Sequence, residues 1–116
     1  MPLDRDQLLD IVGTHRQTEV VYVDGIGEVR LRRATFSEWY DVVREHAKHE
    51  GVMIPDSVIA VTVATALAAE DGSRLLSRDE AEYLLNLPPR PLMRLYQEAK
   101  RVLDLSDNAV EAEAKN

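Results

Sequence analysis

Residues 19–33 follow a period of two, whereas most of the chain follows a helical one. Val21 and Val23 alternate with Val20, Tyr22 and Asp24, and Val29 and Leu31 alternate with Glu28, Arg30 and Arg32. Such alternation in β-branched residues is strand patterning. Between the two runs lies Asp24-Gly25-Ile26-Gly27, whose glycines accept positive φ, so the segment reads as a β-hairpin. A hairpin alone is marginally stable in water and needs something packed on one face. The rest of the chain must therefore supply helices to cover it.

Four helical segments are predicted. Asp4 can cap a short N-terminal helix with Leu8, Leu9 and Val12 on one face, stopped by Gly13. Thr35-Phe36-Ser37-Glu38 is a capping box opening a second helix that ends at Gly51. Phe36, Trp39, Tyr40, Val43 and Ala47 follow at helical spacing, and the only Trp and only Phe suggest the centre of the core. Residues 56–69 are β-branched enough for a strand, yet their length, the Asp56-Ser57 start and the later alanines favour a buried helix. Ser77-Arg78-Asp79-Glu80 is a second capping box, and its helix reaches Leu87, ahead of Pro88-Pro89. A last helix runs from Pro89 or Pro91 to Leu103, with Leu92, Leu95, Tyr96, Ala99, Val102 and Leu103 inward. Residues 106–116 hold no aromatic and one isolated Val110, which reads as a disordered tail. The expected architecture is a single α+β domain over 1–105, with one N-terminal hairpin packed against about four helices.

A chain of 116 residues, 45% hydrophobic and 30% charged, is enough for one domain. Folding at this size buries roughly 66% of the unfolded surface. The net charge of −7 speaks against nucleic acid, whose binding domains are basic. The absence of cysteine removes disulfides, thiol catalysis and thiolate zinc sites, and suits a reducing compartment. No apolar run is long enough for a membrane span, and Met1–Asp6 lacks the basic and apolar regions of a signal peptide.

Chemical motifs are sparse. His46 and His49 are three apart, but the zincin pattern needs an i, i+4 pair with Glu after the first, so they read as a solvated helix end. Glu70-Asp71-Gly72 lacks the alternating oxygen ligands of a calcium loop and reads as a turn. Arg30, Arg32 and Arg33 suit an acidic partner or RNA, or a solvated strand face balancing Glu19 and Asp24. No nucleophile elbow, phosphate loop, triad or dinucleotide fingerprint is present, so the sequence reads as non-enzymatic, with no cofactor. Val52-Met53-Ile54 is an apolar triplet after Gly51. Met53, Ile54 and the off-face Met93 are candidate partner contacts, with core filling the other reading.

The order of these pieces resembles the tail assembly chaperones of long, non-contractile-tailed bacteriophages and their prophages. The resemblance covers residues 18–110 and is sharpest over 67–106. It runs through the hairpin Thr18–Arg32, the capped helix from Thr35, the turn Asp71-Gly72-Ser73-Arg74-Leu75-Leu76-Ser77, the acidic Asp79-Glu80-Ala81 start and the final Leu92–Leu103 helix. The loop Asp24–Gly27 departs from the family in lacking a Trp before paired glycines. The resemblance implies a non-enzymatic protein of the host cytoplasm that keeps the tape-measure protein soluble and helps tail-tube subunits assemble around it. On that reading Met53, Ile54 and Met93 contact the tape-measure protein. The tail-tube protein is reached through a longer, frameshifted form, for which codons over Ala114-Lys115-Asn116 can supply a slippery run. Self-association is left open. The alternatives are a head–tail or tail-completion protein retained in the virion, and an acidic antitoxin-type regulator.

Overall fold

The computed structural model describes residues 2–13 and 17–105. Helix α1 (Arg5–Gly13) is followed by strands β1 (Thr18–Val23) and β2 (Gly27–Arg32), then by α2 (Phe36–Ala47), α3 (Asp56–Ala66), a 3₁₀ helix (Ala81–Asn86) and α4 (Pro89–Val102). The result is a small α+β domain in which the hairpin packs against several helices. The expected tail and the codon run at 114–116 lie outside the described residues.

The two strands pair antiparallel from Thr18 opposite Arg32 to Val23 opposite Gly27, one residue earlier than expected at each end. Gly25 has φ +92°, and a Cβ there would lie 3.0 Å from Pro91 Cγ, so glycine serves both the turn and the approach of α4. The sheet continues past the hairpin. Helix α3 stops at Ala66, three residues before the expected end, because Leu67 turns extended. Leu67 then bridges Leu31, and the Ala68 amide donates to the Arg30 carbonyl at 2.9 Å. Ala68 bridges Arg74 in turn, around the Asp71-Gly72 turn.

Helix α3 is the centre of the core. Its β-branched residues are tolerated because it is covered on most sides, by α2, α4 and the 3₁₀ helix. The Thr62 and Thr65 hydroxyls donate to the Val58 and Val61 carbonyls at 2.7 Å, so neither is left unsatisfied. No side chain caps its start, contrary to the expected Asp56-Ser57 cap.

The Ser77–Glu80 box forms, but the six residues after it wind as a 3₁₀ helix rather than the expected α-helix. The segment is short and Leu87 is held extended before Pro88. Helix α4 buries Leu95, Tyr96, Ala99 and the following Leu103, as its periodicity predicts. It closes with Asp104 at φ +56° and the Leu105 amide donating to the Lys100 carbonyl at 2.7 Å, a Schellman closure that buries Leu105.

Three expectations fail on α2. Its buried residues are Val42, Val43 and His46, while Phe36 and Tyr40 are exposed and Trp39 is half-buried. The aromatic cluster is therefore not the core centre. His46 is buried rather than solvated. Its Nδ1 lies 2.8 Å from the Val42 carbonyl, which can only accept, so Nδ1 carries the proton and Nε2 accepts from the Tyr96 hydroxyl at 2.9 Å. The helix also ends at Ala47, with turns filling 48–51.

Candidate partner-binding groove

The capping box that starts α2 also fixes one wall of a surface groove. The Glu38 carboxylate accepts from several sides: Arg32 Nη1 and Nη2 donate to its two oxygens at 3.1 and 2.6 Å, and the Thr35 amide donates at 3.1 Å. Arg74 stands 3.7 Å away. Burial pushes the Glu38 carboxyl up, but the Arg32 bonds and the Thr35 amide outweigh it and hold the pKa at about 2. Two arginines thus share one carboxylate, and Arg32 Nε and Arg74 Nε have no acceptor among the described residues. Arg32 is buried against Glu38, so it is neither part of a solvated face nor balanced by Glu19.

With the start of α2 pinned to the base of β2, its first turn projects outward. Phe36, Trp39 and Tyr40 form a cluster there, with ring centroids 5.7 Å apart for Phe36–Trp39 and 5.9 Å for Phe36–Tyr40. Phe36 is 73% exposed. Phe36 and Trp39 line a groove of about 580 Å³ between the base of the hairpin, the start of α2 and the end of α4. Leu31 and Leu103, both buried, contribute to its floor, with Ala34 and Val102 beside them. Its rim is charged. Arg101 pairs with Glu19 and with Glu98, and both bonds raise its pKa. Arg33 is exposed and carries no ion pair among the described residues.

The arrangement is suited to holding an apolar side-chain row with a polar edge. Aromatic rings provide large contact area at low entropy cost. Among the described residues no group of three His, Cys, Asp or Glu side chains could hold a metal ion, and no helix is long and apolar enough to cross a membrane.

The residues singled out in the sequence are placed elsewhere. Met53 is 91% exposed in the loop between α2 and α3, with Ile54 half-buried beside it. Met93 is exposed on the first half of α4. None of the three lines the groove. The residues missed were Phe36 and Trp39, assigned to the core by their spacing. A usable signal was Val42 and His46, which mark a second stripe on α2 beside the aromatic one. Compared with known proteins, the chain matches no family model, no curated protein and no solved structure.

Proposed function

We propose that this protein is a tail assembly chaperone of a long-tailed phage or prophage, which binds the tape-measure protein and keeps it soluble while the tail tube forms around it. The single observation that carries this reading is the uncovered Phe36–Trp39–Tyr40 cluster on the groove of an acidic domain. An amphipathic helical client lays its apolar row into such a groove, and the burial of that row supplies the affinity. The surrounding net charge of −7 keeps the loaded complex soluble. Met53, Ile54 and Met93 are a second contact zone for the same long client, since exposed methionines adapt to varied apolar surfaces. The role is non-enzymatic, belongs in the host cytoplasm, and reaches the tail-tube protein through a longer form of the chain.

The test is co-expression with the tape-measure protein of the same phage or prophage. The reading requires the tape-measure protein to move from the insoluble to the soluble fraction and to co-purify with this chain. Phe36→Asp should cancel both. Mass spectrometry of purified virions separates the alternative, because a stoichiometric virion component contradicts a chaperone that leaves before completion.

A further inference from the structure

Around Glu38 the chain gathers more positive charge than it neutralises. Arg32 takes both carboxylate oxygens, and Arg74 is left with one contact, its Nη1 3.7 Å from Oε2. That distance is too long for a hydrogen bond. No N–H of Arg74 donates to an acceptor among the described residues, although its side chain is only 31% exposed and its Nε is shut off from water. Arg32 is more than nine-tenths buried, and its Nε is unpartnered too. Burial pushes the Arg74 guanidinium down, Glu38 pushes it up, and the Arg32 and Arg78 charges push it down again. Arg78 is exposed and forms no ion pair among the described residues. The carboxylates around it are engaged elsewhere or stay apart: Glu45 pairs with Lys48 at 3.0 Å, Glu80 accepts from the Ser77 amide at 2.9 Å, and the exposed Asp79 forms no ion pair among the described residues. The cluster therefore sets Arg32, Arg74 and Arg78 against Glu38 alone. Half-buried charge is ordinarily matched by opposite charge.

The backbone holds the two open arginines in place. On one side of Arg74 the Ala69 amide donates to the Ser73 carbonyl at 2.8 Å, and on the other the Leu75 amide donates to the Leu67 carbonyl at 3.1 Å. Arg78 lies inside the Ser77–Glu80 capping box, whose two reciprocal bonds fix the start of that turn. None of Arg32, Glu38, Arg74 and Arg78 lines the aromatic groove.

We propose that Arg74 and Arg78 form a binding site for a dianionic oxyanion, a phosphate group that arrives as the free ion or as a monoester. A guanidinium fork grips two oxygens of such a group at once, and the Nη atoms of Arg74 have no other hydrogen-bonding partner among the described residues. Three cations and one carboxylate leave a surplus of two charges, which a dianion cancels and a single carboxylate halves. Glu38 opposes the anion from one side, but its oxygens are already taken by Arg32 and the Thr35 amide. The site is open to water at Arg78, so affinity is in the millimolar range. It stands whether or not the client is a tape-measure protein.

The Nε–H of each arginine gives its own nitrogen–proton resonance, and the one lost in Arg74→Lys identifies Arg74. The protein is titrated at pH 7 and constant ionic strength with inorganic phosphate, with phenyl phosphate and with acetate. The Arg74 resonance should move saturably with both phosphates, and acetate should bind several-fold more weakly. Phenyl phosphate binding several-fold tighter than inorganic phosphate assigns the site to monoesters; equal binding assigns it to the free ion. Arg78→Gln, a change at an exposed position, should weaken phosphate binding several-fold and leave the backbone amide spectrum native. Arg33→Gln, a change at an exposed arginine on the groove, should leave it unaltered. A resonance that stays still up to about 100 mM phosphate overturns the proposal, and so does one that moves equally with acetate. Equal losses from Arg33→Gln and Arg78→Gln also overturn it, because the anion then responds to diffuse charge. Client capture is not read, so its failure and that of the phosphate site are distinguishable.

Discussion

The two halves of α2 have similar apolar content and opposite fates. The C-terminal half sends Val42, Val43 and His46 into the core against α3 and Tyr96. The N-terminal half holds Phe36 and Tyr40 in water and Trp39 half in. At 100° per residue the aromatic stripe and the buried stripe are rotated by roughly 70°, sharing Val43 and the flank of Trp39. Helical periodicity states that a face exists; the neighbours decide which face is covered. Here the Arg32–Glu38 pair and the hairpin base fix the rotation, and Phe36 and Tyr40 are left exposed.

That contrast can be broken by putting the same residue on both faces. Val42→Asp buries an unpaired carboxylate and should cost more than about 4 kcal/mol, enough to unfold most of the protein as read by circular dichroism. Glu38→Gln comes next. It leaves Arg32 and Arg74 facing each other without a countercharge, and should cost about 2–3 kcal/mol in urea unfolding, less than a fully buried pair because Glu38 is part-exposed. The same group sets a pH dependence. Its folded pKa of about 2 lies below the ordinary value of 4.5, so its stabilisation is complete above pH 4.5 and is lost as pH falls toward 2. After discounting for solvent screening this amounts to about 1–2 kcal/mol, visible as a smaller fall in stability between pH 6 and 3 for Glu38→Gln than for the wild type.

Trp39→Ala sharpens the boundary between the halves. A fully buried Trp would cost about 3–5 kcal/mol, whereas this half-buried one should cost about 1–2 and leave a folded protein. Phe36→Asp should change stability by less than about 0.5 kcal/mol, since the side chain is exposed and an aspartate suits a helix start. It should nonetheless abolish client capture.

Much of the fold was legible in the sequence because local chemistry dictates it. The hairpin follows from alternating valines around two positive-φ glycines, and both capping boxes form as Thr35–Glu38 and Ser77–Glu80. The inner face of α4 follows from its period. What was not legible depends on partners distant in the chain. Arg32 looked like a solvated strand residue because Glu38 lies on another element. His46 looked exposed because its Tyr96 partner is fifty residues away. The groove escaped notice because its two best residues, Phe36 and Trp39, carry the strongest core signal by composition. Met53, Ile54 and Met93 were chosen for chemistry alone; Met53 and Met93 are exposed and Ile54 is half-buried.

Trp39 is the only tryptophan, and it lines the groove, so its fluorescence responds to what covers that surface. Titrating the protein with an amphipathic helical peptide from the tape-measure protein should shift the emission to shorter wavelength, saturably, as the ring loses water. The Phe36→Asp protein should show no shift at the same concentrations. A tape-measure protein that is captured while Trp39 emission stays unchanged would contradict the account, because the client would then sit elsewhere on the molecule.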